Sequence, residues 1–150
     1  MSESVRQTLH YDDDVVRLFT VATVIWALIG FSAGVFIAGE LAFPALNFAE
    51  WVNFGRFRPV HTSAVILGFG GNALMGTSLY VVQRTCQTRL FGGRGLSEFL
   101  FWGYQFTLIL AATGYVLGVT KSQEYAEPEW FAILWLVIVW IVYFVIFTGT

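Results

Sequence analysis

His61 is the one histidine that falls inside a membrane-length apolar segment of this 150-residue chain. It follows Phe54-Gly-Arg-Phe-Arg-Pro-Val and opens an uncharged, glycine-studded run that reaches Ala73. An ionisable side chain within a span marks a functional site by default, and neutral imidazole is a standard axial ligand of haem iron. Position alone leaves that reading level with a hydrogen bond to a neighbouring helix. Proton relay is a third reading, weakened because the same span holds no second ionisable group. Arg56 and Arg58 tip the balance. They stand just outside the span on the His61 side, and guanidinium forks bind carboxylates such as haem propionates bidentately. An axial histidine in the membrane with arginines at the rim suits a haem standing on edge, propionates outward. Glu124, Glu127 and Glu129 offer hard oxygen ligands of the kind Ca²⁺ takes, and an ion there would bridge to propionates. From spacing alone a solvated acidic loop is the better reading. His10 has no ligand set nearby and reads as a solvated side chain.

The elements that must position these groups are spans. The chain is 57% hydrophobic, 18% aromatic and 12% charged, against about 25% charged for soluble domains. Lipid is therefore its solvent. Four uncharged stretches, Leu18–Gly39, Pro59–Gln83, Phe99–Thr120 and Trp130–Thr150, each reach the ~20 residues that cross a hydrocarbon core as helix. Asp12, Asp13 and Asp14 precede the first where a signal peptide would be basic. The fold class is all-α integral membrane. A net charge of −2 argues against nucleic-acid binding and against a polybasic surface-binding protein. One cysteine, Cys86, excludes an internal disulfide framework and reads as a spectator thiol in a loop.

Lys and Arg number five on the N-terminal side (Arg6, Arg17, Arg84, Arg89, Arg94) and three on the other (Arg56, Arg58, Lys121). The positive-inside rule then puts the N-terminus in the cytoplasm and His61 near the outer face. The fourth span is still apolar at Thr150, so a longer protein is expected. Gly30-x-x-x-Gly34 reads as helix packing and nothing more. Pro59 is expected in the first turn of its helix. By α-helical spacing His61, Val65, Gly68, Asn72 and Gly76 share one face, on which a flat, bulky group would lie. The arginines of 84–98 are expected to face lipid headgroups, with Gly92-Gly93-Arg94-Gly95 as a turn. Gln105 is expected to bond within the bundle.

The runs Phe54-Gly-Arg-Phe-Arg-Pro-Val-His61-Thr-Ser-Ala-Val-Ile, Phe69-Gly-Gly-Asn-Ala, Tyr80-Val-Val-Gln-Arg-Thr-Cys-Gln-Thr-Arg-Leu90 and Ser122-Gln-Glu-Tyr-Ala-Glu127 resemble subunit I of the cbb3-type oxidases, the C family of haem-copper oxygen reductases. The resemblance covers nearly the whole chain. It implies the first four helices of a bundle of about a dozen, within a multi-pass protein of the bacterial inner membrane. It implies that His61 is one axial ligand of low-spin haem b, that Arg58 and Arg56 hold haem propionates, and that Glu124 ligates calcium with Glu127 as its acidic neighbour. The complete subunit would also carry high-spin haem b3 and copper B. Membrane-anchored c-type cytochrome subunits would supply electrons, and oxygen would be reduced to water with proton translocation. The remaining ligands would belong to later helices, so no catalytic residue is expected in this chain and no activity from it alone. A nitric oxide reductase large subunit and a non-catalytic four-helix membrane protein are the rival readings. Further metal-ligating glutamates downstream would favour the first, and a natural protein complete at Thr150 the second.

Overall fold

The computed structural model describes residues 10–121, 123 and 127–150. Every regular element in it is helical. Helix α1 spans Asp13–Ala42, α2 Phe54–Ser63, α3 Asn72–Thr85, α4 Gly93–Leu117 and α5 Trp130–Gly149, and a π-helical segment, Ala64–Gly71, fuses α2 to α3. Four helical rods are long and apolar enough to cross a membrane, with α2, the π segment and α3 forming one of them.

Helix α1 buries Val15, Phe19, Ala22, Gly30, Ala33 and Glu40, a stripe at helical spacing that faces the second rod. Asp13 and Asp14 in its first turn complement the positive end of the helix dipole. The second rod begins at Phe54, earlier than expected. Asn53 caps it by accepting from Arg56 N at 3.0 Å, and Asn47 Oδ1 accepts from Phe54 N at 3.1 Å. Pro59 therefore stands inside α2 and not in its first turn, where it deprives the Gly55 carbonyl of an i+4 donor. Helix α4 also begins earlier, at Gly93 within the expected turn. It ends at Gly118, whose φ of +77° suits glycine. A Cβ there would also meet the Arg56 guanidinium at 3.2 Å.

The rods pack antiparallel around Phe19, Met75, Leu79, Leu100, Tyr104, Leu108, Val139 and Ile146. Polar side chains in this core are partnered. Trp26 Nε1 donates to Gln105 Oε1 at 2.8 Å, Gln105 Nε2 to Asn72 Oδ1 at 2.7 Å, and Asn72 Nδ2 to the Gly68 carbonyl at 2.6 Å. Tyr104 Oη donates to the Leu67 carbonyl at 2.8 Å. The network joins three rods and satisfies carbonyls of the π segment, which water would otherwise have to reach.

The π segment corrects the expected face. A turn closed by i→i+5 bonds holds about one residue more than an α turn, so the helix beyond it is rotated by roughly 100°. Asn72 thereby leaves the His61 face and turns to Gln105 on α4. The remaining face is already occupied by α1. A Cβ on Gly68 would lie 2.9 Å from the Trp26 ring, and one on Gly76 2.9 Å from Phe19 Cβ. Those glycines admit α1, and the flat group that lies against Gly68 is the indole ring of Trp26.

The interfacial arginines of the 84–98 region also differ from expectation. Arg84 Nη2 donates to both Asp13 oxygens, at 2.8 and 3.0 Å, and its guanidinium lies over the Tyr80 and Tyr11 rings. Arg89 pairs with Asp12, which also accepts from Leu90 N at 3.1 Å. Arg94 pairs with Glu98 one turn along α4 at 2.6 Å. These arginines bind the protein's own carboxylates. Cys86 is free and exposed.

Candidate metal centre at His61

His61 sits two residues past Pro59 in the last turn of α2, half-buried. Its Nδ1 lies 2.8 Å from the Gly30 carbonyl oxygen of α1. A carbonyl can only accept, so Nδ1 carries the proton and Nε2 is left with its lone pair. Nε2 takes no hydrogen bond among the described residues. This is the arrangement by which proteins orient a metal-bound histidine.

Gly34 completes the seat. A Cβ built there would fall 2.7 Å from His61 Cε1 and 3.0 Å from Nδ1, closer than non-bonded atoms approach. Gly30 is equally constrained, with a Cβ position 2.9 Å from Val65 Cγ2. The Gly30-x-x-x-Gly34 pair thus does more than pack helices. One glycine supplies the carbonyl that fixes the tautomer, and the other makes room for the ring. A signal for this existed in the sequence: two spans joined by a short connection run antiparallel, and Gly34 and His61 lie about equally far from that connection.

Helix α2 is held on its other side by α4. Ser63 Oγ and Tyr115 Oη share a hydrogen bond of 2.9 Å, and Val60 packs with Ala111 and Tyr115. Arg56 Nη1 donates to the Val116 carbonyl at 3.3 Å, and Nη2 lies 3.8 Å from Glu50 Oε2. Its guanidinium is therefore turned toward the C-terminal end of α4. Arg58 is exposed and stands three residues from His61, hence one turn outward on nearly the same face; Arg56, five residues away, is turned well off it.

Glu124 lies outside the described residues. Glu127 is buried, and its carbonyl accepts from Lys121 N and Thr120 Oγ1, both at 2.9 Å. No cluster of three metal-ligating His, Cys, Asp or Glu side chains occurs among the described residues, so His61 would serve as a lone axial ligand. Glu40 reads from the sequence merely as an outer-side acid. In the fold it is 2% exposed, and neither carboxylate oxygen has a hydrogen-bond partner among the described residues. It occupies the last position of the buried α1 stripe, a placement that helical periodicity from Ala33 would have found.

The family model for cytochrome c and quinol oxidase polypeptide I matches residues 14–150. The chain is 60% identical over 140 residues to a cytochrome c oxidase subunit 1 homolog of Agrobacterium tumefaciens (strain T37), covering 93% of this chain and 26% of that protein. It is 53% identical over 141 residues to the cbb3-type cytochrome c oxidase subunit CcoN1 of Stutzerimonas stutzeri, covering 93% and 30%. Against the cytochrome c oxidase subunit 1 of Rhodobacter capsulatus it is 50% identical over 143 residues, covering 93% and 27%. The chain thus spans between a quarter and a third of the length of these curated relatives. A membrane-spanning helical bundle matched over almost its whole length, it belongs to the family of cytochrome c and quinol oxidase polypeptide I.

Proposed function

We propose that this chain forms the first four transmembrane helices of the catalytic subunit of a cbb3-type terminal oxidase, and that His61 is one axial ligand of its low-spin haem b. The observation that carries the reading is the His61 Nδ1–Gly30 carbonyl bond, which presents Nε2 for a metal. The family implies haem and copper, and the donor chemistry at His61 fits a haem iron. When bound, the haem supplies a one-electron redox centre on the way to the site where oxygen is reduced.

This chain's own residues hold and orient. His61 offers Nε2, Gly30 fixes the tautomer, and Gly34 sets how close the ring approaches α1. Arg58 is the better placed of the two arginines for a propionate, being one turn outward from His61. Arg56 is assigned the same role less directly, since one of its nitrogens already serves Val116. Glu124 and the buried Glu127 are assigned to calcium on the outer side. Electrons from membrane-anchored c-type cytochrome subunits, reduction of oxygen to water, proton translocation and a bacterial inner-membrane location complete the reading. The similarity to cytochrome c oxidase subunits favours it over a nitric oxide reductase.

The test is His61→Ala in the full-length subunit, read by the reduced optical spectrum. The low-spin haem b band is expected to disappear while the protein still inserts, and an unchanged spectrum refutes the ligand assignment. For calcium, Glu124→Gln is expected to lower bound metal and shift the haem b band; equal calcium content in the mutant argues against it.

A further inference from the structure

Between the first turns of α1 and α4 lies a cavity of about 660 Å³, whose walls include Asp14, Arg17, Leu18, Val21, Arg94 and Glu98. Its volume lies within the roughly 300–1,000 Å³ of small-molecule sites. It has two chemical ends. Asp14, Arg17, Arg94 and Glu98 make one end charged, whereas Leu18 and Val21 open the other onto the apolar surface of α1, where Val21 is 58% exposed. Arg17 immediately precedes the uncharged run Leu18–Gly39, so the charged end stands at headgroup level and the apolar end at the level of acyl chains.

Charge pairing leaves a specific remainder. Asp12 is matched by Arg89, Asp13 by Arg84, and Arg94 by Glu98. Asp14 and Arg17 are left, both exposed and without a direct hydrogen bond or ion pair among the described residues, with Arg94 across the cavity within reach of the Asp14 charge. They lie three residues apart on α1 and so stand side by side. A cation and an anion side by side, neither directly bonded, above an apolar channel are complementary to a zwitterionic amphiphile.

We propose that this cavity binds one glycerophospholipid with a primary-amine headgroup. Arg17 holds the phosphate, Asp14 accepts from the ammonium, and the acyl chains run over Leu18 and Val21. Phosphatidylcholine carries the same net charge but has no N–H to donate to Asp14, and phosphatidylglycerol has no cation at all. The proposal rests on the membrane-spanning architecture and not on the haem reading.

The experiment uses the full-length subunit in its natural complex, washed in detergent and analysed by native mass spectrometry and headgroup assay. It is then re-equilibrated with vesicles of equal phosphatidylethanolamine, phosphatidylcholine and phosphatidylglycerol. Wild type is expected to keep one phosphatidylethanolamine that Arg17→Gln loses, with retention down about tenfold, while Arg17→Lys keeps it. Asp14→Asn is expected to retain phospholipid but lose about tenfold of its preference for phosphatidylethanolamine over the other two. Val21→Trp, which obstructs the apolar end and leaves the charges intact, is expected to lower retention as Arg17→Gln does. The haem spectrum of each variant reports that it is folded. Water-soluble phosphoethanolamine, which lacks chains, is expected not to displace the lipid, and full displacement by it overturns the proposal. So does a wild-type protein with no lipid to lose at this position, as when another segment of the longer chain fills the cavity, and so does wild-type retention in Arg17→Gln.

Discussion

The two ends of the bundle treat their charges differently. At the end where α1 begins, carboxylates and guanidinium groups are largely matched within the chain: Asp13 with Arg84, Asp12 with Arg89 and Arg94 with Glu98. The hydrogen bond and charge of Asp12 also draw Arg89 further toward its protonated form. At the other end Arg56 is engaged by Val116 and Glu50, but two groups keep hydrogen-bonding capacity that the described residues do not use. His61 spends one nitrogen on Gly30 and keeps the other, and Glu40 is buried with both oxygens unmatched among the described residues. Internally matched charge holds a structure together. Buried polar groups left over are costly unless a partner arrives from elsewhere, which is the pattern of a site completed by a cofactor and by the rest of a subunit.

That contrast can be broken or sharpened by substitution in the full-length protein, taking the largest expected effect first. Gly34→Val pushes a side chain into the space of the His61 ring, and loss of such a supporting interaction lowers metal affinity by about 10–100-fold. Low-spin haem b content, read by pyridine haemochrome assay, is expected to fall accordingly, and normal occupancy would show that the ring has room to spare. Glu40→Leu is expected to destabilise the complete subunit by about 1–3 kcal/mol in thermal unfolding, because it removes a group that a further element satisfies. A rise in the melting midpoint would mean that Glu40 has no partner there either, and the contrast between the ends would weaken. Tyr104→Phe removes the donor to the Leu67 carbonyl and is expected to cost about 0.6 kcal/mol, and not above ~1.7. Arg84→Gln with Asp13→Asn, in a double-mutant cycle, is expected to show coupling in stability with no change in the haem spectrum. A spectral shift from that pair would join the two ends after all.

How much of this is legible in the sequence depends on the range of the forces involved. Hydrophobic length reports each span without reference to any other, and each apolar stretch has its rod, the third ending at Leu117 and not at Thr120 because Gly118 caps it. His61 is legible because an ionisable group in lipid needs a reason. The first ends of α2 and α4 are not, because Asn53 and Gly92 act as caps inside stretches that read as loop. Nor are the partners of Arg84 and Arg89, because Asp13 and Asp12 lie more than seventy residues away along the chain. Asn72 falls on the wrong face when α-helical periodicity is carried across residues that are π-helical.

That π segment makes the second rod two keys on one shaft, each cut at its own angle. Both halves pack against α1, His61 through Gly30 and Gly76 through Phe19, while Asn72 at the junction is turned to Gln105 of α4, with eight π-helical residues to absorb the offset. Deleting a single residue within Ala64–Gly71 would let the rod wind as plain α-helix at little local cost. It would also turn everything beyond by about 100° and withdraw the amide from Gln105. Insertions and deletions here should therefore be tolerated far less well than substitutions, because each one resets the angle between the two halves.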